Sequence, residues 1–283
     1  MNQIESSYRR QALSEEAMGW PSRYGSPDSL DNWRHTRMLD FVKPLLRERP
    51  GSSWLTVGDG RYGSDASYLL QAGAAATASS LTDDRLRHAH ERGHIKDFRA
   101  ENAERISLGD GEVDFVLCKE AYHHFPRPPV ALYEMLRVAR VGVVLIEPMD
   151  NPRPFDKLKT LLKRAVRGDG EVFFEPSGNF IYRINVREVG KLMTAMGGLT
   201  LAVHPFNDFF HPGLGACDAR GWNRGRLLTN LGIAIQDVLC RLRLTGWGLC
   251  ATVVFKGQAD TRLLSALGAA GFQLIELPRN PHA

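Results

Sequence analysis

Two stretches of the chain carry residue types and spacings suited to chemistry. Val57-Gly58-Asp59-Gly60-Arg61-Tyr62-Gly63 spells G-x-G-x-x-G directly after an apolar run. Glycines at such a turn let the backbone bend sharply and approach a ligand, and a helix opening just beyond it offers free N–H groups. The pattern suits two cofactor types. A dinucleotide calls for an acid about 20 residues further on to hold a ribose; a nucleoside-type cofactor has no pyrophosphate to seat. Tight strand–helix turns without any ligand are also glycine-rich. The second stretch, Cys118 to Pro126 (CKEAYHHFP), places Glu120, His123 and His124 just past another apolar run. Histidine titrates near neutrality and serves as a general base, although packing and hydrogen bonding are ordinary roles for such a pair. His211, in the aromatic loop Phe206 to Pro212, is a further candidate.

A third pattern works against itself. His90-Glu91-Arg92-Gly93-His94 spells H-E-x-x-H, which binds zinc only when both histidines share one face of an unbroken helix. Gly93 sits inside the motif and predicts a helix end, so the expectation is surface histidines and no metal site.

The elements that must position these residues alternate. Ser29, with Asp28, is placed to cap a helix over 30–47 that Pro44 kinks. Apolar strands are predicted at 53–57, 75–79, 113–118 and 142–147. Helices are predicted at 64–71, from a Thr82 cap to Gly93, and from Pro128-Pro129 to about Arg140. Strands separated by helices in this rhythm predict a parallel α/β sheet with right-handed crossovers. The second half predicts a basic amphipathic helix over 155–166, a loop or hairpin over 168–182 and a helix over 186–196. A strand at 199–204, an apolar helix over 227–244 between Trp222 and Trp247, and a strand at 249–256 follow. Near the end come a helix and a short strand at 272–276.

Composition bounds the rest. The chain has 283 residues, is 43% hydrophobic and 24% charged, and carries a formal net charge of +4. That excludes disorder over most of its length and is too weak a basic balance to argue for nucleic acid. No apolar run approaches the ~20 residues that span a bilayer. The N-terminal ten residues lack the apolar region of a signal peptide. Cys118, Cys217, Cys240 and Cys250 form no C-x-x-C pair, which predicts a reducing, cytoplasmic setting.

The glycine turn is the first of four blocks that together resemble class I S-adenosylmethionine-dependent methyltransferases. The second is Thr77 to Asp84 (TASSLTDD). The third is Glu101-Asn102-Ala103-Glu104 with Gly111 to Phe115. The fourth, and most specific, is Cys118 to Pro126, with Ala131 to Val138 and Val144 to Pro148. The resemblance covers about residues 52–150, with an echo in the strands at 199–205 and 249–256, which would be the antiparallel finish of the sheet. It implies a Rossmann-like α/β fold, one domain over 1–283, with a helical lid at 1–50 anchored by Trp20, Tyr24 and Trp33, a cofactor core at 52–150, and acceptor-side insertions and final strands at 151–283. It implies cofactor contacts at Gly58, Asp59, Gly60, Gly63, Ser80, Leu81, Asn102, Ala103, Cys118 and Lys119. Two departures stand out: Thr56 and Ser80 occupy positions where the family often has acids.

These readings predict methyl transfer from S-adenosylmethionine to a small-molecule acceptor, at a hydroxyl of a sugar, glycoside or secondary metabolite, with His123, His124 and Glu120 as catalytic candidates. An NAD-dependent oxidoreductase and a non-catalytic cofactor-binding partner subunit are the alternatives. The helices at 155–166 and 227–244 carry the stripes of ordinary surface, core or dimer helices, and the same stripes would also suit a membrane-surface or lipid-carrier contact.

Overall fold

A computed structural model describes residues 3–16, 28–167, 173–174, 180–198, 200–211 and 213–282. Trp20 and Tyr24, most of the predicted hairpin over 168–182, and the start of the strand predicted from Leu199 lie outside the described residues.

Eight strands form one sheet: β1 (Ser53–Val57), β2 (Ala75–Ser80), β3 (Asp97–Ala100), β4 (Val113–Lys119), β5 (Ala139–Pro148), β6 (Thr200–Phe206), β7 (Leu249–Phe255) and β8 (Gln273–Glu276). Their order is β3-β2-β1-β4-β5-β7-β6-β8. β1 to β5 are parallel, β7 runs against both β5 and β6, and β8 runs against β6. The antiparallel finish expected of the sheet is present: β7, wedged between β5 and β6, and β8 run opposite to the rest, while β6 keeps the direction of β1 to β5.

The strands are apolar on both faces because helices cover both. Trp54, Phe115, Leu117, Val144 and Ile146 pack on one side against α2 (Leu30–Leu39), α3 (Lys43–Glu48), α4 (Ser64–Gln71), α5 (Asp84–Glu91) and α10 (Thr261–Ala269). Leu55, Val57, Val116, Cys118, Val143 and Leu145 pack on the other against α6 (Pro128–Val138) and α8 (Val186–Ala195). Crossovers from β1 and from β4 thus leave on opposite faces. The crevice between them, at the carboxyl ends of β1 and β4, is where open α/β sheets bind ligands.

Several boundaries differ from the sequence reading. The helix expected over 30–47 is two, joined by a tight turn at Asp40–Val42, because Pro44 lacks an N–H and is accepted only in the first turn of α3. Ser29 caps α2 as expected, accepting from the Asn32 N–H at 3.2 Å. Thr82 does not cap α5; Asp83 precedes it with helical backbone and directs its carboxylate to Arg87 at 2.6 Å instead. The polar N-terminus, inside the segment read as a helical lid, forms α1 (Gln3–Glu16), whose bounds the sequence reading did not give. Two further helices follow β5 and β6: α7 (Pro154–Arg167) and α9 (Arg224–Arg241).

Candidate active site

The glycine turn is built around a buried acid. Asp59 is 2% exposed. It accepts from the Thr56 hydroxyl at 2.9 Å, the Ala66 N–H at 2.9 Å and the Asp65 N–H at 3.2 Å. α4 begins after Gly63, which has no side chain to cap it, so Asp59 satisfies the free amides from within the loop. Burial and the nearby Asp65 push the Asp59 carboxyl up to about 7, against the pull of those hydrogen bonds. Its side chain faces inward, so Asp59 serves the site by shaping the turn. Thr56, at a position where an acid was expected, is the partner that holds it.

The glycines answer to packing. Gly58 (φ 76°) and Gly63 (φ 68°) occupy the left-handed region. A Cβ on Gly58 would lie 2.4 Å from the Ala121 Cβ, and one on Gly63 would lie 2.7 Å from Ile95 Cγ2. A side chain at Gly58 would thus run into the loop after β4. The Gly60 carbonyl accepts from Arg85 at 3.1 Å, tying the turn to α5.

Register brings the candidate contacts into a row. Val57 pairs with Ser79 on one side and Cys118 on the other, and Ser80 pairs with Ala100. With strands about 4.8 Å apart, the ends of β3, β2, β1 and β4 present Asn102, Ser80, Gly58 and Lys119 along one edge. Ser80 is buried and Leu81 half-buried. Glu101 locks the next turn by accepting from the Ser107 N–H at 2.9 Å and from its hydroxyl. Asn102 Oδ1 accepts from the Glu104 N–H at 2.9 Å, and Ala103 is buried beside it. Glu104 accepts from the Arg127 N–H at 2.7 Å and its guanidinium at 2.6 Å. α1 lies against these turns: Gln11 donates to the His124 carbonyl at 2.6 Å, and burial and Glu104 raise the Tyr8 phenol above its usual range.

A second group gathers Lys119, Glu120 and Arg61 around His35, Asp31, Arg34 and Asp208, which the sequence reading did not single out. Lys119, with its side chain 1% exposed, stands 3.3 Å from Asp65 and 3.1 Å from His35 Nδ1. Arg61 reaches Asp31 at 2.7 Å and also contacts His35 Nε2. Arg34 pairs with Asp31 and with Asp208 from the loop after β6. Burial, then Lys119, Arg61 and Arg34, lower the His35 pKa well below the usual histidine range, so the ring is neutral among cations. Glu120 joins this cluster, 3.3 Å from His35, and holds a left-handed backbone (φ 50°). For a residue with a Cβ that conformation is costly.

His123 sits differently. Glu147, fully buried at the end of β5, accepts from the Ala121 and Tyr122 N–H groups, both at 2.9 Å, through one oxygen. Its other oxygen meets His123 Nδ1 at 2.6 Å. An acceptor at Nδ1 assigns the ring hydrogen to that nitrogen and the lone pair to Nε2. Cys118 Sγ also points at Glu147, at 3.8 Å, and burial followed by Glu147 raises its thiol well above the usual range. Glu147 was legible only as an acid ending an otherwise apolar strand.

The other candidates stand apart. The His124 ring lies against His123, with centroids 3.8 Å apart. His211 is exposed, its Nδ1 accepting from the Gly213 N–H at 3.2 Å. α5 ends at Glu91 and Gly93 turns the chain at φ 71°, so His90 and His94 do not share a helix, and both are exposed.

A cavity of about 920 Å³ lies between α7 and the segment 180–183. Tyr182, on its wall, donates its N–H to the His123 carbonyl at 3.1 Å. Trp247 and Phe180 supply aromatic surface, and Lys157, Lys159, Lys163, Arg164 and Arg183 stand with Asp150, Asp156 and Glu188 as its charged groups.

Residues 55–146 match the family model described as a methyltransferase domain. Among curated proteins none matches the chain. A SAM-dependent methyltransferase from Archaeoglobus fulgidus superposes with TM-score 0.51 at 13% identity, over 79% of this chain and 94% of that one. The 1,6-didemethyltoxoflavin-N1-methyltransferase of Burkholderia thailandensis, with its substrate and S-adenosylhomocysteine bound, gives TM-score 0.51 at 13% identity, over 91% and 92%. The YcgJ protein of Bacillus subtilis gives 0.50 at 16%, over 80% and 100%. At these identities the structural likeness shows the fold. The match over β1 to β5 supplies the class: this core is a class I S-adenosylmethionine-dependent methyltransferase domain. The protein is an enzyme of that class, with S-adenosylmethionine as its cofactor.

Proposed function

We propose that the protein methylates a hydroxyl of a small-molecule acceptor of sugar, glycoside or secondary-metabolite type, with His123 as general base. The observation that carries this reading is the His123–Glu147 pair, at the carboxyl edge beside the glycine turn and joined through the Tyr182 backbone to the wall of the 920 Å³ cavity. The donors along that edge suit the cofactor. The backbone of Gly58, Asp59, Gly60 and Gly63 would pass beside it. Ser80 and Leu81 would meet the ribose, and Asn102 and Ala103 the adenine. Cys118 and Lys119, with Arg61, would meet the amino-acid end, whose mixed charge matches the cluster around His35. When bound, the cofactor supplies an electrophilic methyl group on a sulfonium.

The chain's own residues then have three tasks. Glu147 holds the imidazole in one tautomer. His123 Nε2 takes the hydroxyl proton as the oxygen attacks, and Glu147 stabilises the imidazolium that results. Turns locked by Glu101, Glu104 and Asp59 hold both reactants in line, and alignment is the larger source of rate in such a displacement. Aromatic walls at Tyr182, Phe180 and Trp247 beside a few polar groups suit the faces and hydroxyls of a ring-shaped acceptor. We read the chain as one domain in which α1 and α2 cover the cofactor edge and the segment after β5 forms the acceptor side. The free thiols of Cys118, Cys217, Cys240 and Cys250 support a cytoplasmic setting.

The test is the His123→Ala variant, assayed for methyl transfer to a panel of hydroxylated and amine acceptors. It is expected to keep cofactor affinity while turnover falls about 10²–10⁴-fold and an ionisation near neutrality leaves the pH–rate profile. Undiminished turnover in both His123→Ala and His124→Ala removes the histidine base, and methylation of amines alone overturns the hydroxyl reading.

A further inference from the structure

Two helices of the acceptor side are inside out. α7 reads PFDKLKTLLKRAVR. At 3.6 residues per turn, Phe155, Leu158, Leu161, Leu162 and Val166 form one arc, and they are 49, 50, 60, 60 and 84% exposed. No residue from 154 to 166 is buried. The helix attaches through its opposite, polar edge: Asp156 accepts the Gly246 N–H at 2.7 Å and Thr160 lies half-buried one turn on. Lys159 and Lys163 flank one border of the apolar arc, Lys157 and Arg164 the other, and all four also stand at the rim of the cavity beneath the helix. α9 repeats the inversion. Its buried side is Gly225, Thr229, Ile233 and Cys240, while Leu227, Leu228, Leu231, Ile235, Val238 and the adjoining Leu242 are each more than half exposed. Trp222, just before α9, is 97% exposed. The start of α7 and the turn after α9 are joined, the Phe155 N–H donating to the Leu244 carbonyl at 3.4 Å.

A 14-residue helix is marginal in water without cover for its apolar face, and an apolar patch of this kind on a soluble protein marks a contact surface. We propose that α7 and α9 form a docking surface for an anionic lipid bilayer, which brings the acceptor cavity behind α7 to the membrane face. Charge complementarity selects this occupant. Cations on both borders of an exposed apolar arc are the pattern of a helix lying in the headgroup layer, where their stems cover hydrocarbon and their heads meet lipid phosphates. A second copy fits poorly, because a two-fold contact would face the same cationic borders against each other. The docking stands independently of the acceptor chosen above.

The test is flotation of the full-length protein with vesicles of phosphatidylcholine alone and of phosphatidylcholine mixed with phosphatidylglycerol. The expected result is binding to the anionic vesicles only, weakened about tenfold or more at high salt, since each cation near an anionic surface contributes about fivefold. Leu158→Ser/Leu162→Ser and Leu231→Ser/Ile235→Ser are each expected to abolish flotation while S-adenosylmethionine affinity, which reports an intact core, stays unchanged. Three results would overturn the proposal: no flotation with anionic vesicles, flotation that both double variants retain, or a stable dimer in solution whose α7 amides are protected from exchange.

Discussion

Replacing Glu147 with glutamine probes the site at its most connected atom pair. The carboxylate accepts three hydrogen bonds from nitrogen, from the Ala121 and Tyr122 N–H groups and from His123 Nδ1, beside the longer contact from the Cys118 thiol. The amide that replaces it has one accepting oxygen and one donating nitrogen. Two of the three partners are backbone N–H groups on one oxygen, so the amide oxygen stays with them and the NH₂ turns towards His123. The imidazole must then accept at Nδ1, and its hydrogen moves to Nε2, the atom assigned to take the acceptor's proton. Hydrogen bonds to a charged acceptor contribute about 1.5–3 kcal/mol and neutral ones about 0.5–1.5. Weakening three of them removes roughly 3 kcal/mol, which the amide's smaller desolvation cost offsets in part, leaving a net loss of about 1–2 kcal/mol. Glu147→Gln should therefore fold with modestly lower stability in urea, bind S-adenosylmethionine like the parent, and lose about 10²–10⁴-fold in turnover. Nitrogen-15 spectra of labelled histidine read the cause directly. The parent His123 should show hydrogen on Nδ1 and the variant hydrogen on Nε2. A parent ring protonated at Nε2, or a variant whose ring is unchanged, would refute the argument whatever the activity does.

Three other outcomes follow from the geometry. Gly58→Ala should lose stability through the 2.4 Å approach to Ala121; adding Ala121→Gly should restore all but the left-handed strain, about 1–2 kcal/mol, as read by thermal unfolding. Asp59 has a carboxyl held near 7 in the folded chain, above its unfolded value of about 3.9. The folded state therefore binds the extra proton between those values, and stability falls as pH rises through that window. Asp59→Asn should flatten that slope in unfolding measured from pH 4 to 8. Asn102→Ala should weaken S-adenosylmethionine binding by about 0.5–1.5 kcal/mol in calorimetry, and unchanged affinity would place the adenine elsewhere.

What the sequence made legible was local. The glycine turn, the paired prolines opening α6 and the apolar runs of β1, β4 and β5 declare themselves within a few residues. β3 did not, because DFRA is a four-residue edge strand with only Phe98 half-buried and no alternation to read. α1 did not, because its helix is polar along most of its length. The His35 cluster had no local signal at all: Lys119 and His35 are 84 positions apart, and only the fold puts a cation from β4 against a ring from α2. Glu147 was visible in the sequence as a strand end. Its partners at 121, 122 and 123 lie on the other side of α6, so its role as the carboxylate that organises the loop after β4 emerged only with the sheet. The inverted faces of α7 and α9 show the same limit, since a stripe pattern fixes that a helix has two sides and leaves open which one turns inward.

The position of β7 has a consequence for how the chain is made. β5 is buried over most of its length, and its lateral partner is β7, which packs so closely that a Cβ on Gly142 would lie 2.5 Å from the Val254 carbonyl oxygen. During synthesis that partner arrives about 100 residues after β5 is complete, roughly 5–20 s at ordinary ribosomal rates. β6 emerges in between but cannot substitute, because in the finished sheet it pairs with β7 and β8 and not with β5. The nascent protein therefore passes through an interval in which a five-stranded sheet has an unprotected hydrophobic border, open to pairing with a neighbouring nascent chain. Premature termination anywhere between β5 and β7 makes that interval permanent.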